Sequence, residues 1–136
     1  MRYAVLLFAV MFAGCGGGSS TERETSVDDG FQTFTIAGKT MQVAKEDLPN
    51  EMTWDDAMSA CQNLGNGWRL PSVQELKAMH EQLHLGDECN FKTDTAYWSS
   101  SEVSANNPWS FYFEGGRTNN DYKNNTKLVR AVRALP

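Results

Sequence analysis

From Ala4 to Phe12 the chain is an unbroken apolar run, preceded by Arg2 and followed by Ala13, Gly14 and Cys15. Gly16-Gly17-Gly18-Ser19-Ser20 comes next, and then a polar stretch from Thr21 to Gly30. This opening limits everything downstream. The apolar run is about half the roughly 20 residues that a helix needs to span a bilayer, yet its length and flanks suit the core of a secretory leader. The stretch after Cys15 has flexible-linker composition and no apolar period to fold around. About 15 extended residues of this kind reach roughly 50 Å. What remains, 31–136, allows one hydrophobic core of modest stability.

Phe12-Ala13-Gly14-Cys15 resembles a bacterial lipobox, with Phe12 where Leu is more usual. That reading makes 1–14 a lipoprotein signal peptide, Cys15 an acylated N-terminus and lipid anchor, and 15–30 a tether. Several acyl chains hold a protein on a membrane where one is marginal. The alternative is a conventional signal peptide with an incidental Cys. The expected location is the cell envelope. Gly16 rather than Asp after the Cys favours, by analogy with Gram-negative sorting, the outer membrane if the cell has one.

With 12 Lys+Arg against 17 Asp+Glu the net charge is -5, which excludes nonspecific binding to the nucleic-acid backbone because that needs a basic surface. The charge is unevenly spread. Glu114 to Pro136 carries Arg117, Lys123, Lys127, Arg130 and Arg133 against only Glu114 and Asp121. An acidic body thus ends in a modestly basic segment.

The module reads as α+β. Phe34 and Ile36, then Met41 and Val43, alternate around Ala37-Gly38-Lys39, predicting a hairpin. Thr53 is placed to cap a helix that puts Trp54, Ala57, Met58, Cys61 and Leu64 on one face and stops at Gly65. Ser72 and Glu75 form an S-x-x-E capping box for a second helix, with Leu76, Met79 and Leu83 inward and Gly86 at its end. Tyr97-Trp98-Ser99-Ser100 reads as a strand. Trp109, Phe111 and Phe113 alternate in another, Gly115-Gly116 is a turn, and Leu128 to Arg133 reads as a terminal strand.

Trp54-Asp55-Asp56-Ala57, Cys61, Gly67-Trp68-Arg69-Leu70-Pro71-Ser72, Glu75-Leu76, Tyr97-Trp98-Ser99-Ser100-Ser101 and Val129-Arg130-Ala131-Val132-Arg133 occur in this order. The ordered set resembles the Lcl C-terminal domain family, a domain of unknown function similar to the "major paralogous domain" of bacterial lipoproteins, from about Thr33 to Arg133. The resemblance implies a fold related to C-type lectins and formylglycine-generating enzymes, with two helices flanking small antiparallel sheets. The best-known namesake of the family is an adhesin whose terminal domain binds sulfated glycosaminoglycans. On their own chemistry, Trp68, Trp98 and Trp109 suit a core boundary where each indole nitrogen finds a partner. Arg69 demands a paired guanidinium, with Glu75 and Glu102 as candidates.

Relatives often carry Cys between the two arginines of the last strand, where it can bridge to the helix Cys; here that position is Ala131. With Cys15 lipidated, Cys61 and Cys89 remain in a compartment that permits a disulfide. Closing that loop would contribute roughly 3–4 kcal/mol. The other reading packs Cys61 as a small hydrophobe and leaves Cys89 free.

His80-Glu81-Gln82-Leu83-His84 fits H-E-x-x-H, in which two histidines on one helical face share a zinc and the Glu acts as general base. A small zinc metallopeptidase is therefore a further reading. It would need Asp87, Glu88, Asp94 or Glu102 as third ligand, since the chain has only 2 His. The bland reading is a solvated helix edge. Other catalytic patterns are absent: Ser99-Ser100-Ser101 lacks a nucleophile elbow, and the paired terminal cysteines of formylglycine-generating relatives are missing.

The stretch Arg117 to Lys127 is polar, rich in amides and contains one aromatic, Tyr122. Amides match sugar hydroxyls with paired donors and acceptors, and Tyr or Trp can stack on a pyranose face. Asn106, Asn107, Trp109, Arg117, Asn119, Asn120, Asp121, Tyr122, Asn124 and Asn125 are the candidate ligand-binding residues. The competing reading is that Asn-rich stretches simply form turns. No catalytic residues, cofactor or metal are expected. The sequence thus predicts a non-catalytic, lipid-anchored envelope module that binds a glycan or another envelope or extracellular polymer. A structural or assembly lipoprotein with a protein partner is the alternative.

Overall fold

A computed structural model describes residues 30–86 and 90–135. Strands β1 (Gln32–Ile36) and β2 (Lys39–Val43) pair antiparallel through a two-residue turn. Ala37 and Gly38 both have positive φ, 51° and 78°, the geometry that matches the twist of a tight hairpin. The hairpin forms where the alternation places it, with Phe34, Met41 and Val43 buried.

Helix α1 (Trp54–Asn63) starts at Thr53, whose hydroxyl accepts the Asp56 N–H. Gly65, at φ 75°, takes the left-handed conformation just past the helix end. Trp54, Ala57 and Cys61 are buried and Met58 packs against them. Leu64 departs from the expected face: it is the C-cap and 44% exposed, because the helix stops before that turn closes on the core.

Helix α2 (Val73–Met79) has both halves of its capping box: the Ser72 hydroxyl accepts the Glu75 N–H and the Glu75 carboxylate accepts the Ser72 N–H. Its last turn widens into a π-helical segment, His80–His84, closed by the Leu85 N–H to the His80 carbonyl at 2.9 Å. Leu76, Met79 and Leu83 are buried as their spacing requires.

The second sheet comprises β3 (Tyr97–Ser104), β4 (Asn107–Tyr112) and β5 (Arg117–Asn120), all antiparallel. Phe113 is buried but lies beyond β4, in the turn before Arg117. The terminal segment also differs from its reading as one strand. Only β6 (Val132–Ala134) is a strand, added to β2 in the first sheet. The residues before it stitch the layers together. The Trp98 N–H reaches the Leu128 carbonyl at 2.9 Å, Leu48 N–H reaches Val129, and Ala44 N–H reaches Ala131. A segment shared among three neighbours cannot sustain one ladder, so periodicity alone overstates its length.

The core has two parts. Leu76, Met79, Tyr97, Phe111 and Phe113 join the first hairpin and Val132 in one. Trp54, Cys61, Leu70, Trp98, Val129 and Ala131 form the other. The buried Glu75 and Arg130 are paired, as isolated charges there would be costly, whereas the buried Ser110 hydroxyl has no hydrogen-bond partner among the described residues. Arg69 donates to both Glu75 oxygens at 2.8 and 2.7 Å; Glu102 is not its partner. Burial opposes ionisation of Glu75, but the hydrogen bonds from Arg69 and Ser72 prevail and hold its pKa below the usual range. Among the described residues no helix is long and apolar enough to cross a membrane.

Candidate functional site

At one end of the second sheet, the loop after β5 and the β3–β4 turn enclose an open depression of about 360 Å³ lined by Asn106, Tyr122, Lys123 and Asn124. The loop is shaped by Asp121. Its Oδ1 accepts the Tyr122 N–H and the Asn125 amide, and its Oδ2 accepts Lys127 Nζ at 3.0 Å. The hydrogen bond from Lys127 comes first among the contacts that lower the Asp121 pKa. That carboxylate organises the loop.

Helix α1 anchors the same loop. The Trp54 N–H donates to the Lys123 carbonyl at 3.0 Å, and its indole N–H donates to the Ser99 carbonyl at 2.8 Å. Lys123 then folds back over the Trp54 ring, 4.3 Å from its centroid, and meets Glu102 at 2.8 Å. Tyr122 is left 63% exposed.

Asn106, Tyr122 and Asn124 are therefore brought together, and Trp109 sits opposite Asn120 in the β4–β5 register. Asn119 and Asn120 are exposed on β5, Asn107 accepts the Ser104 hydroxyl, and Asn125 and Asp121 serve the loop itself. Arg117 lies at the far end of β5, over the Tyr112 ring at 4.9 Å. Lys123, Glu102 and Trp54 are site residues that sequence reasoning does not select. A Trp at a helix start looks like core, and nothing local announces that Lys123 returns to it.

The H-E-x-x-H residues occupy a different place. His80 and His84 stack, their centroids 5.4 Å apart at 25°, and Phe111 meets His80 edge-on at 5.8 Å. Both rings also pack against Phe113, their centroids 6.3 and 5.6 Å from its own, which places the pair against the aromatic core. Burial and then the neighbouring His84 lower the His80 pKa. Among the described residues no three His, Cys, Asp or Glu are grouped to hold a metal ion. Asp87 and Glu88 lie outside those residues.

Cys61 is a free, buried thiol among the described residues, and burial pushes its pKa up to about 12. Its expected partner Cys89 lies outside the described residues, as does the proposed anchor Cys15.

Comparison with solved structures finds botrocetin, a C-type-lectin-like protein, at a TM-score of 0.52 and 14% identity, covering 76% of this chain and 96% of that one. A search of curated proteins finds no match. A family model, the Lcl C-terminal domain, matches residues 26–133. With that match and two helices packed on two small antiparallel sheets, the chain belongs to the Lcl C-terminal domain family and has a C-type-lectin-like fold.

Proposed function

We propose that this protein is a non-catalytic, lipid-anchored envelope module that recognises a glycan or similar polymer through the depression at Asn106, Tyr122 and Asn124. The observation that carries the reading is the exposed Tyr122 ring, on a loop braced by Asp121, lining one depression with Asn124 of that loop and Asn106 of the β3–β4 turn. A flat aromatic face and paired amide donors and acceptors are what a sugar ring with its hydroxyls requires. The bracing holds that geometry before a ligand arrives, which lowers the ordering cost of binding. Cys15 would be the anchor and the Gly/Ser-rich stretch the tether that lifts the module from the lipid.

The test is a glycan array probed with the leaderless chain carrying Cys15→Ser. Binding that Tyr122→Ala and Asn124→Ala each weaken by roughly tenfold, or about 1.4 kcal/mol, is the expected result. No binding to any glycan would overturn the reading. Incorporation of labelled fatty acid in cells, abolished by Cys15→Ser, checks the anchor.

A further inference from the structure

The basic surplus of the terminal segment suggests an anionic ligand, but folding spends that charge internally. Arg130 is 1% exposed and its Nε lies 2.7 Å from Asp47. Arg133 donates to Gln42 at 2.7 Å and lies over the Trp68 ring, away from the depression on the other sheet. Lys127 is held by Asp121 and Lys123 by Glu102. Arg117 remains, but it starts β5 while the loop follows Asn120, a distance of roughly 10 Å along the strand.

Around the depression, then, charges cancel in pairs: Glu102 with Lys123, and Asp121 with Lys127. The two carboxylates are the more open members, with side chains 39% and 34% exposed against 28% and 11% for their lysines. A sulfate or carboxylate arriving here meets those acids and must compete with Glu102 for Lys123. The groups left available are neutral: the Tyr122 ring and the Asn106 and Asn124 amides.

We propose that the ligand class of this site is an uncharged, hydroxyl-rich glycan and not a sulfated or otherwise anionic one. The proposal rests on the depression being the binding site.

The experiment uses the leaderless chain carrying Cys15→Ser, with dextran, mannan and galactan as probes, each beside its sulfated form. Binding is measured at about 50 and about 500 mM NaCl, a range over which screening shortens from roughly 14 to 4 Å. Expected is binding to an unsulfated polymer that changes by less than about twofold with salt and is lost in Tyr122→Ala. Preference for a sulfated form, with affinity falling roughly tenfold or more across that range, overturns this proposal and leaves the site standing if Tyr122→Ala still removes it. Absence of binding to every probe, or binding unaffected by Tyr122→Ala, overturns both.

Discussion

Replacing Arg130 by methionine tests whether the terminal cations belong to the fold. The guanidinium ties the terminal segment to two distant ones, Ala44 to Asp47 and Asn90. Its Nε donates to Asp47 at 2.7 Å, one Nη to the Ala44 carbonyl at 3.1 Å and the other to Asn90 Oδ1 at 2.9 Å. Charge-assisted hydrogen bonds contribute roughly 1.5–3 kcal/mol each. Their sum is not the answer, because burying the guanidinium itself costs several kcal/mol. Methionine fills much of the space and keeps apolar contact where the guanidinium now covers Phe91, 4.8 Å from its centroid. What it strands is the Asp47 carboxylate, 12% exposed, with the Tyr97 hydroxyl at 3.0 Å as its remaining donor among the described residues. Removing one member of a buried pair costs about 3–5 kcal/mol. The retained Tyr97 contact places Arg130→Met near the lower end, about 3 kcal/mol out of the roughly 5–15 kcal/mol of a small domain. Urea unfolding followed by tryptophan fluorescence measures this, with an unchanged m-value as the two-state check. Adding Asp47→Leu removes the stranded charge and should recover about 1 kcal/mol or more. A loss under about 1 kcal/mol for Arg130→Met alone would show that the guanidinium is not committed to the fold, and would return it to the ligand question.

Two further outcomes follow from the packing of His80. A Cβ at Gly116, where φ is 65°, would lie 2.7 Å from the His80 ring, which His84 and Phe111 already confine; at Gly38, φ 78°, it would meet open space. Both alanines incur the left-handed penalty of roughly 1–2 kcal/mol, so Gly116→Ala should lower thermal stability by at least about 1 kcal/mol more than Gly38→Ala; equal losses would mean that the ring moves aside freely. Burial, then the charge of His84, depresses the His80 pKa. The unfolded chain therefore takes up its proton first, so this contribution is complete above the ordinary histidine pKa of about 6.5 and lost as pH falls through the folded value. The urea midpoint of the native chain should fall between about pH 7 and pH 5 more steeply than that of His80→Gln, and parallel slopes would exclude His80 as the cause.

Local signals settled the local elements. Positive-φ demand at Ala37-Gly38, the Thr53 cap and the Ser72–Glu75 capping box each act within a few residues, so the hairpin and both helix starts were legible before any contact was known. The ordered signature from Trp54 to Arg133 likewise pointed to the right family. Of the candidate binding residues, Asn106, Tyr122 and Asn124 converge on one depression, while Asp121 and Asn125 shape the loop and Arg117 sits at the other end of β5. The sequence does not separate these roles, because an asparagine that forms a turn and one that offers its amide outward have the same local pattern.

What the sequence determined alone was whatever depends on spacing: the leader-like run, the tether composition, the first hairpin, the two helix starts and the net charge of -5. Only the tertiary structure decided where the charges go. Arg130 meets Asp47 across 83 positions, and Lys123 reaches back over Trp54 to Glu102. A formal sum counts each cation as free, whereas burial beside a carboxylate neutralises it. The H-E-x-x-H pair shows a similar division: the spacing specifies which residues are four apart, but only the fold packs Gly116 and Phe111 against the His80 ring.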